Sequence, residues 1–172
     1  MNKHENEERR IKISNGLLTR SSLQKKDYYP EEYSKEIQAS NVVLIPNENY
    51  KNFKYPVFPE QTKSFYDFLK DKSSDSFKPS ICISDEDYYE LELHADIVTI
   101  PSMIVTFLVL PILTRIIANY LYDLIKKRRT EINVKVSITV EKNGDSKKMD
   151  FEGKVEEFEK CFEIASGKLF GD

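Results

Sequence analysis

Tryptophan is absent from the 172 residues, cysteine and histidine occur only twice each, and glycine only five times. Two thiols cannot build a disulfide scaffold or a Cys-rich zinc module, and so few glycines leave no glycine-rich phosphate loop. No Gly-x-Ser-x-Gly turn is present, and neither histidine has a nucleophile beside it in the sequence. Charge of one sign is also missing: 26 Lys plus Arg face 29 Asp plus Glu, for a net charge of -3. Without a basic surplus, a nucleic-acid surface is not expected. No metal site, cofactor site or catalytic constellation is expected either, and the chain reads as a non-enzyme.

What remains is globular material. Forty percent hydrophobic residues can supply a core, and 32% charged residues can cover it. Met1 to Glu8 is polar and carries no apolar stretch of a secretory leader, and Cys82 and Cys161 stand far apart. Both features point to reduced thiols and a cytoplasmic protein.

Residues 1–40 hold eight basic and seven acidic side chains and few aliphatic ones, so they read as a mobile or partner-wrapping arm. A single α+β domain built on a small antiparallel sheet is expected over 41–172. Val42 to Ile45 is a short apolar run that suggests a buried strand. Phe65, Phe68 and Leu69 fall at helical spacing within Glu60–Lys72, and Ile81 to Ile83 begins a second short strand.

The clearest pattern lies near the end of the chain. Ile132, Val134, Val136, Ile138 and Val140 alternate with Asn133, Lys135, Ser137 and Thr139, which is a strand with one buried face. Asn143-Gly144 supplies a tight turn, so a hairpin is expected over 132–151. Val155, Phe158, Phe162, Ala165 and Leu169 then recur every three or four residues, predicting a C-terminal amphipathic helix over 153–169 that covers the hairpin.

Between these parts runs an apolar segment with no charge from Ile97 to Thr114. Its length predicts one long apolar helix over 97–129, kinked at Pro111. After Pro111 it is two-faced: Arg115, Asn119, Tyr122 and Lys126 form a polar stripe, and Leu113, Ile117, Leu121 and Leu124 an apolar one. A small domain offers little cover for so much apolar surface. The expectation is therefore that Phe107, Leu110, Leu113, Ile117, Leu121 and Leu124 form an interface with further copies of the chain or with a larger protein partner. The alternative is a single membrane span with its C-terminus in the cytoplasm, since the basic block Lys126, Lys127, Arg128, Arg129 could meet an anionic surface. The same block also complements the carbonyl end of a helix.

Two smaller readings concern polar side chains. Glu90, Glu92, His94 and Asp96 would share a face if that segment were a strand, but carboxylate clusters are far commoner at solvated edges than in metal sites. The tyrosines at 28, 29, 33, 50, 55 and 66 are expected in packing and contacts rather than base stacking.

Leu110-Pro111, the basic end Lys126 to Arg129, the strand Val134-Lys-Val-Ser-Ile138, the hairpin and Gly153-Lys-Val-Glu-Glu-Phe158 together resemble the small accessory modules of bacterial conflict and anti-phage defence loci. The likeness covers about residues 80–165. It implies a non-catalytic partner of a larger effector or sensor, acting by association, and it supplies no site residues.

Overall fold

The computed structural model describes residues 10–92, 96–128 and 131–171. These form an α+β domain around one seven-stranded sheet in the order β1-β9-β8-β7-β2-β4, with β6 also paired to β8. The strands are β1 (Ile11–Asn15), β2 (Val42–Leu44), β4 (Pro79–Ile81), β6 (Ile97–Thr99), β7 (Met103–Thr106), β8 (Asn133–Lys142) and β9 (Asp145–Lys154). A separate two-stranded pair joins β3 (Phe58–Pro59) to β5 (Glu90–Leu91). Helices are α1 (Arg20–Leu23), α2 (Ser34–Ala39), α3 (Thr62–Asp71), α4 (Leu110–Arg128) and α5 (Val155–Ser166).

The β8–β9 hairpin is the longest ladder, pairing Asn133 with Lys154 through to Lys142 with Asp145. Its turn needs two positive backbone angles, and Asn143 (φ 52°) and Gly144 (φ 86°) adopt them. The sheet is larger than the small antiparallel one expected, and it is mixed: β7 and β6 run parallel to β8, and β2 runs parallel to β4, pairings that join strands far apart in the chain.

The long helix expected over 97–129 is shorter and differently placed. Residues 97–106 are dominated by β-branched side chains, which favour a pleated surface over a helix. They form β6 and β7 along β8, interrupted at Pro101, which has no N–H for the ladder. Only from Phe107 does the chain turn helical, first as one tight 3-10 turn (Phe107–Val109) and then as α4. Pro111 falls in the first turn of α4, where no intrahelical N–H bond is lost, so the expected kink has no cause. Lys126, Lys127 and Arg128 occupy the last turn, favourable against the helix dipole.

Two cores sit on the two faces of the sheet. On one face α3, α4 and α5 pack over Val42, Leu44, Val105, Val134, Val136, Ile138 and Val140. On the other, Leu23, Tyr29 and Ile37 from the segment before β2 cover Val43, Ile45 and Ile104. The run Val42–Ile45 is unbroken because both faces of that strand are buried.

From Arg10 onward, the stretch expected as an arm is part of this fold. Ile11 to Asn15 pair with β9, and α1 is closed by a capping box in which Thr19 and Ser22 bind each other's backbone N–H. The Arg20 guanidinium donates to the carbonyls of Ile37 (2.6 Å) and Gln38 (2.9 Å), tying α1 to the end of α2. Three apolar side chains, Leu23, Tyr29 and Ile37, hold the segment down despite its many charges. Residues 1–9 lie outside the described residues.

Candidate functional site

The residues expected to form an interface are mostly inside this chain. Leu110, Leu113, Ile117 and Leu121 are each fully buried, and Phe107 and Leu124 are half-buried against the same core. The sheet supplies the cover that the sequence alone did not reveal, so these side chains hold the domain together instead of facing a partner. The opposite stripe, Arg115, Asn119, Tyr122 and Lys126, is exposed. Lys127 and Arg128 are exposed as well, while Arg129 lies outside the described residues. So does His94, and with it the acidic strand face suggested around it. Among the described residues, no three metal-ligating side chains come together.

The concave feature that emerges lies on the far side of the sheet. The segment before β2 covers only the β2–β4–β7 half of that face. The β8–β9–β1 half is polar, because alternation sends Val134, Val136 and Ile138 to the helices and leaves Lys135 and Ser137 on the opposite face. Strand register then assembles rows across the sheet: Lys12 beside Asp150 beside Ser137, and Glu152 beside Lys135 beside Thr99. Side chains paired directly across such a ladder stand roughly 5 Å apart at Cβ, close enough to act on one ligand.

A wall rises over this floor and turns it into a groove of about 640 Å³. It is the segment from Asn47 to Pro59, folded back by the Asn47–Val57 bridge (N–H to carbonyl, 2.8 and 3.1 Å). Asn49 and Lys51 take left-handed backbone angles in its bend, and Lys51 Nζ lies 5.5 Å from the centre of the Tyr50 ring. The Ser102 hydroxyl donates to Asn47 Oδ1 at 3.5 Å, a weak anchor to the sheet. Within the wall Val57 and Phe58 are buried, and the Phe58 N–H donates to the Tyr89 carbonyl at 2.9 Å.

Charge in the groove is biased. Arg10, Lys12, Lys51, Lys135 and Lys148 line it against Glu48, Asp150 and Glu152. Several of these are already engaged: Glu48 pairs with Lys26 (3.1 Å), Asp150 with Lys148 (3.8 Å) and Arg10 with Glu157. Lys12 and Lys135 are exposed, with no ion pair among the described residues. A locally cationic floor thus sits on a protein of net charge -3.

A second cleft has the opposite sign. It lies between Asp27–Tyr33 and Ser84–Asp87 and is lined by Asp27, Glu32, Asp85, Glu86 and Asp87 with Tyr28, Tyr29 and Tyr33. The Tyr33 hydroxyl hydrogen-bonds Asp85, which raises its pKa. Burial raises that of Tyr28, with the nearby Glu48 carboxylate adding to the effect. Cys82 is fully buried, and burial pushes its thiol up to about 12, which removes it as a nucleophile near neutral pH.

In the sequence, the alternation along β8 points to this face through Lys135 and Ser137 alone. The rest of the groove was hidden because β1 and the wall reach it from far along the chain. No protein-family model, curated protein or solved structure matches the chain.

Proposed function

We propose that the chain is a non-catalytic binding subunit that receives an extended acidic segment of a larger protein partner in the groove over β8, β9 and β1. The groove's charge balance carries the reading: its cations outnumber its carboxylates, and Lys12 and Lys135 stand open on the floor. Apolar atoms of Val57, Pro59 and Leu91 line the wall above them. A peptide combining acidic and aliphatic side chains matches that lining, and the volume falls within the range of clefts that hold ligands of modest size. In this reading the partner is the larger effector or sensor that accessory modules of defence loci serve.

The membrane alternative rests on one stretch, Phe107–Arg128, which is long and apolar enough to cross a bilayer, with a mean hydropathy of 1.5 over its most apolar 18 residues. Its apolar stripe is packed on the sheet and on α5, and moving it into lipid would strip the main core. The packing therefore favours association through the groove.

A fluorescent peptide alternating Glu and Leu tests the proposal. Its anisotropy should rise on titration with the protein. The double variant Lys12→Glu, Lys135→Glu should weaken binding at least tenfold, about 1.4 kcal/mol, with the melting curve unchanged. Equal binding by the double variant would remove the groove as the site. Binding of short inorganic anions as tight as the peptide would replace the protein partner with a small ligand.

A further inference from the structure

Strand β1 ends the sheet, and its second edge has no partner among the described residues. Which of its backbone groups face that edge follows from the ladder. The Gly16 N–H donates to the Ser146 carbonyl (3.0 Å), and the Glu152 N–H to the Arg10 carbonyl (3.1 Å). Hydrogen-bonded pairs alternate along an antiparallel ladder, so residues 10, 12, 14 and 16 bond to β9 and residues 11, 13 and 15 turn their N–H and C=O outward.

Sheet edges usually carry a proline, a bulge or an inward charge that discourages pairing. Ile11–Asn15 has no proline, and its register against β9 runs unbroken. Its one charge, Lys12, belongs to the groove face. On the helix face the strand shows Ile13, 39% exposed, although Ile13 pairs with the fully buried Met149. The neighbouring helix adds a second apolar side chain. Glu157 of α5 pairs with Arg10 beside β1, and Ile164, 41% exposed, follows seven residues later on the same helical stripe.

We propose that β1 pairs with β1 of a second copy of this chain, antiparallel and centred on Ile13, joining two sheets into one. The two-fold axis can pass through an outward residue or an inward one: centring on Lys12 would set Lys12 against its own copy, and centring on Ser14 would set Ile13 against Asn15 and leave no apolar pair. Centring on Ile13 sets Ile13 against Ile13, Lys12 against Ser14 and Ile11 against Asn15. Ile13 meets Ile13 at the axis, and no like charges face each other. Centring on Ile11 would set Lys12 against Arg10, a repulsive pair. Centring on Asn15 would pair Ile13 with Leu17, which lies beyond the strand in a bend. The partner is thus selected by register, and the inference does not depend on what occupies the groove.

Sedimentation velocity of the full chain, from micromolar to near-millimolar concentration, should show conversion from 20.1 kDa to twice that mass. Ile13→Lys and Ile13→Glu should each weaken the dimer at least tenfold, since each places like charges on the axis. An equimolar mixture of the two variants should restore it. Because Ile13 is partly exposed, both variants should fold, and at the lowest concentrations, where the wild type is monomeric too, all three should melt at similar temperatures. Amide exchange gives an independent readout: Ile11, Ile13 and Asn15 should gain protection with concentration, while Lys12 and Ser14 should be protected throughout. A chain that stays at 20.1 kDa at every concentration, or a dimer indifferent to both substitutions, would overturn the proposal.

Discussion

The hydroxyls of Ser40 and Ser80 meet at 2.7 Å inside the domain, where neither residue is more than 4% exposed. Ser40 Oγ also donates to the Ile37 carbonyl at 2.7 Å, so the proton between the two serines belongs to Ser80. One bond therefore ties the end of the N-terminal segment to edge strand β4. Ser80→Ala leaves the Ser40 oxygen without its donor in a dry place and should cost about 1–3 kcal/mol in urea unfolding. A loss below a few tenths would mean that the bond contributes nothing.

Helix α4 offers a sharper contrast. Leu113 is fully buried and Leu108, just before the helix, is 84% exposed. Leu113→Ala should destabilise by about 2–5 kcal/mol, whereas Leu108→Ala should stay within about 0.5 kcal/mol. If Leu113→Ala left the melt intact and instead changed the molecular mass in solution, the helix would be an interface element after all.

The hairpin turn sets a third test. Gly144 holds φ at 86°, open to solvent, with nothing within 4 Å of an added Cβ, so crowding plays no part. Gly144→Ala should cost about 1–2 kcal/mol from backbone strain alone. Gly16 fails for a different reason: there a Cβ would run into Ser146 Oγ and come within 2.8 Å of Ser146 Cβ. Gly16→Ala should therefore be rescued in part by Ser146→Gly, while no partner substitution should rescue Gly144→Ala.

Alkali should loosen the fold. Burial raises the Cys82 thiol from 9.0 to about 12 and the Tyr66 phenol from 10.0 to about 12, and it raises Tyr28 and Tyr88 as well. The folded state holds these protons longer than the unfolded chain does. Their contribution is intact below about pH 9 and drains away as pH rises toward 12. The urea midpoint should thus fall between about pH 8 and pH 11, and native Cys82 should resist alkylation that proceeds readily in urea. An unchanged midpoint would show that these groups are not buried as described.

Some of this was legible beforehand. The alternation from Ile132 to Val140, the Asn143-Gly144 turn and the spacing of Val155, Phe158 and Phe162 are local signals, and strand, turn and helix lie where they point. The polar stripe Arg115, Asn119, Tyr122, Lys126 is exposed for the same reason. Ile97–Thr106 misled because absence of charge was weighed above β-branching, the signal that separates a buried strand from a helix. Residues 10–40 read as an arm because their three anchors, Leu23, Tyr29 and Ile37, are spaced too widely to form a periodic pattern. The groove could not be read at all, since Lys12 neighbours Asp150 only once the sheet has formed.

That last pairing also governs how the molecule is made. Ile11 waits for Phe151, and β7 and β2 wait for strands on either side of them. A ribosome that has released only the first hundred residues holds β2 and β4 with no β7 to close upon. Local helices can form early, but β1 and β7 cannot complete their pairing until β8 and β9 have emerged, so the nascent chain passes through a long interval with apolar strands bare. Synthesis in a cell-free system arrested before Asp145 should accordingly yield protease-sensitive chains, and holdase chaperones should find their substrate in that window.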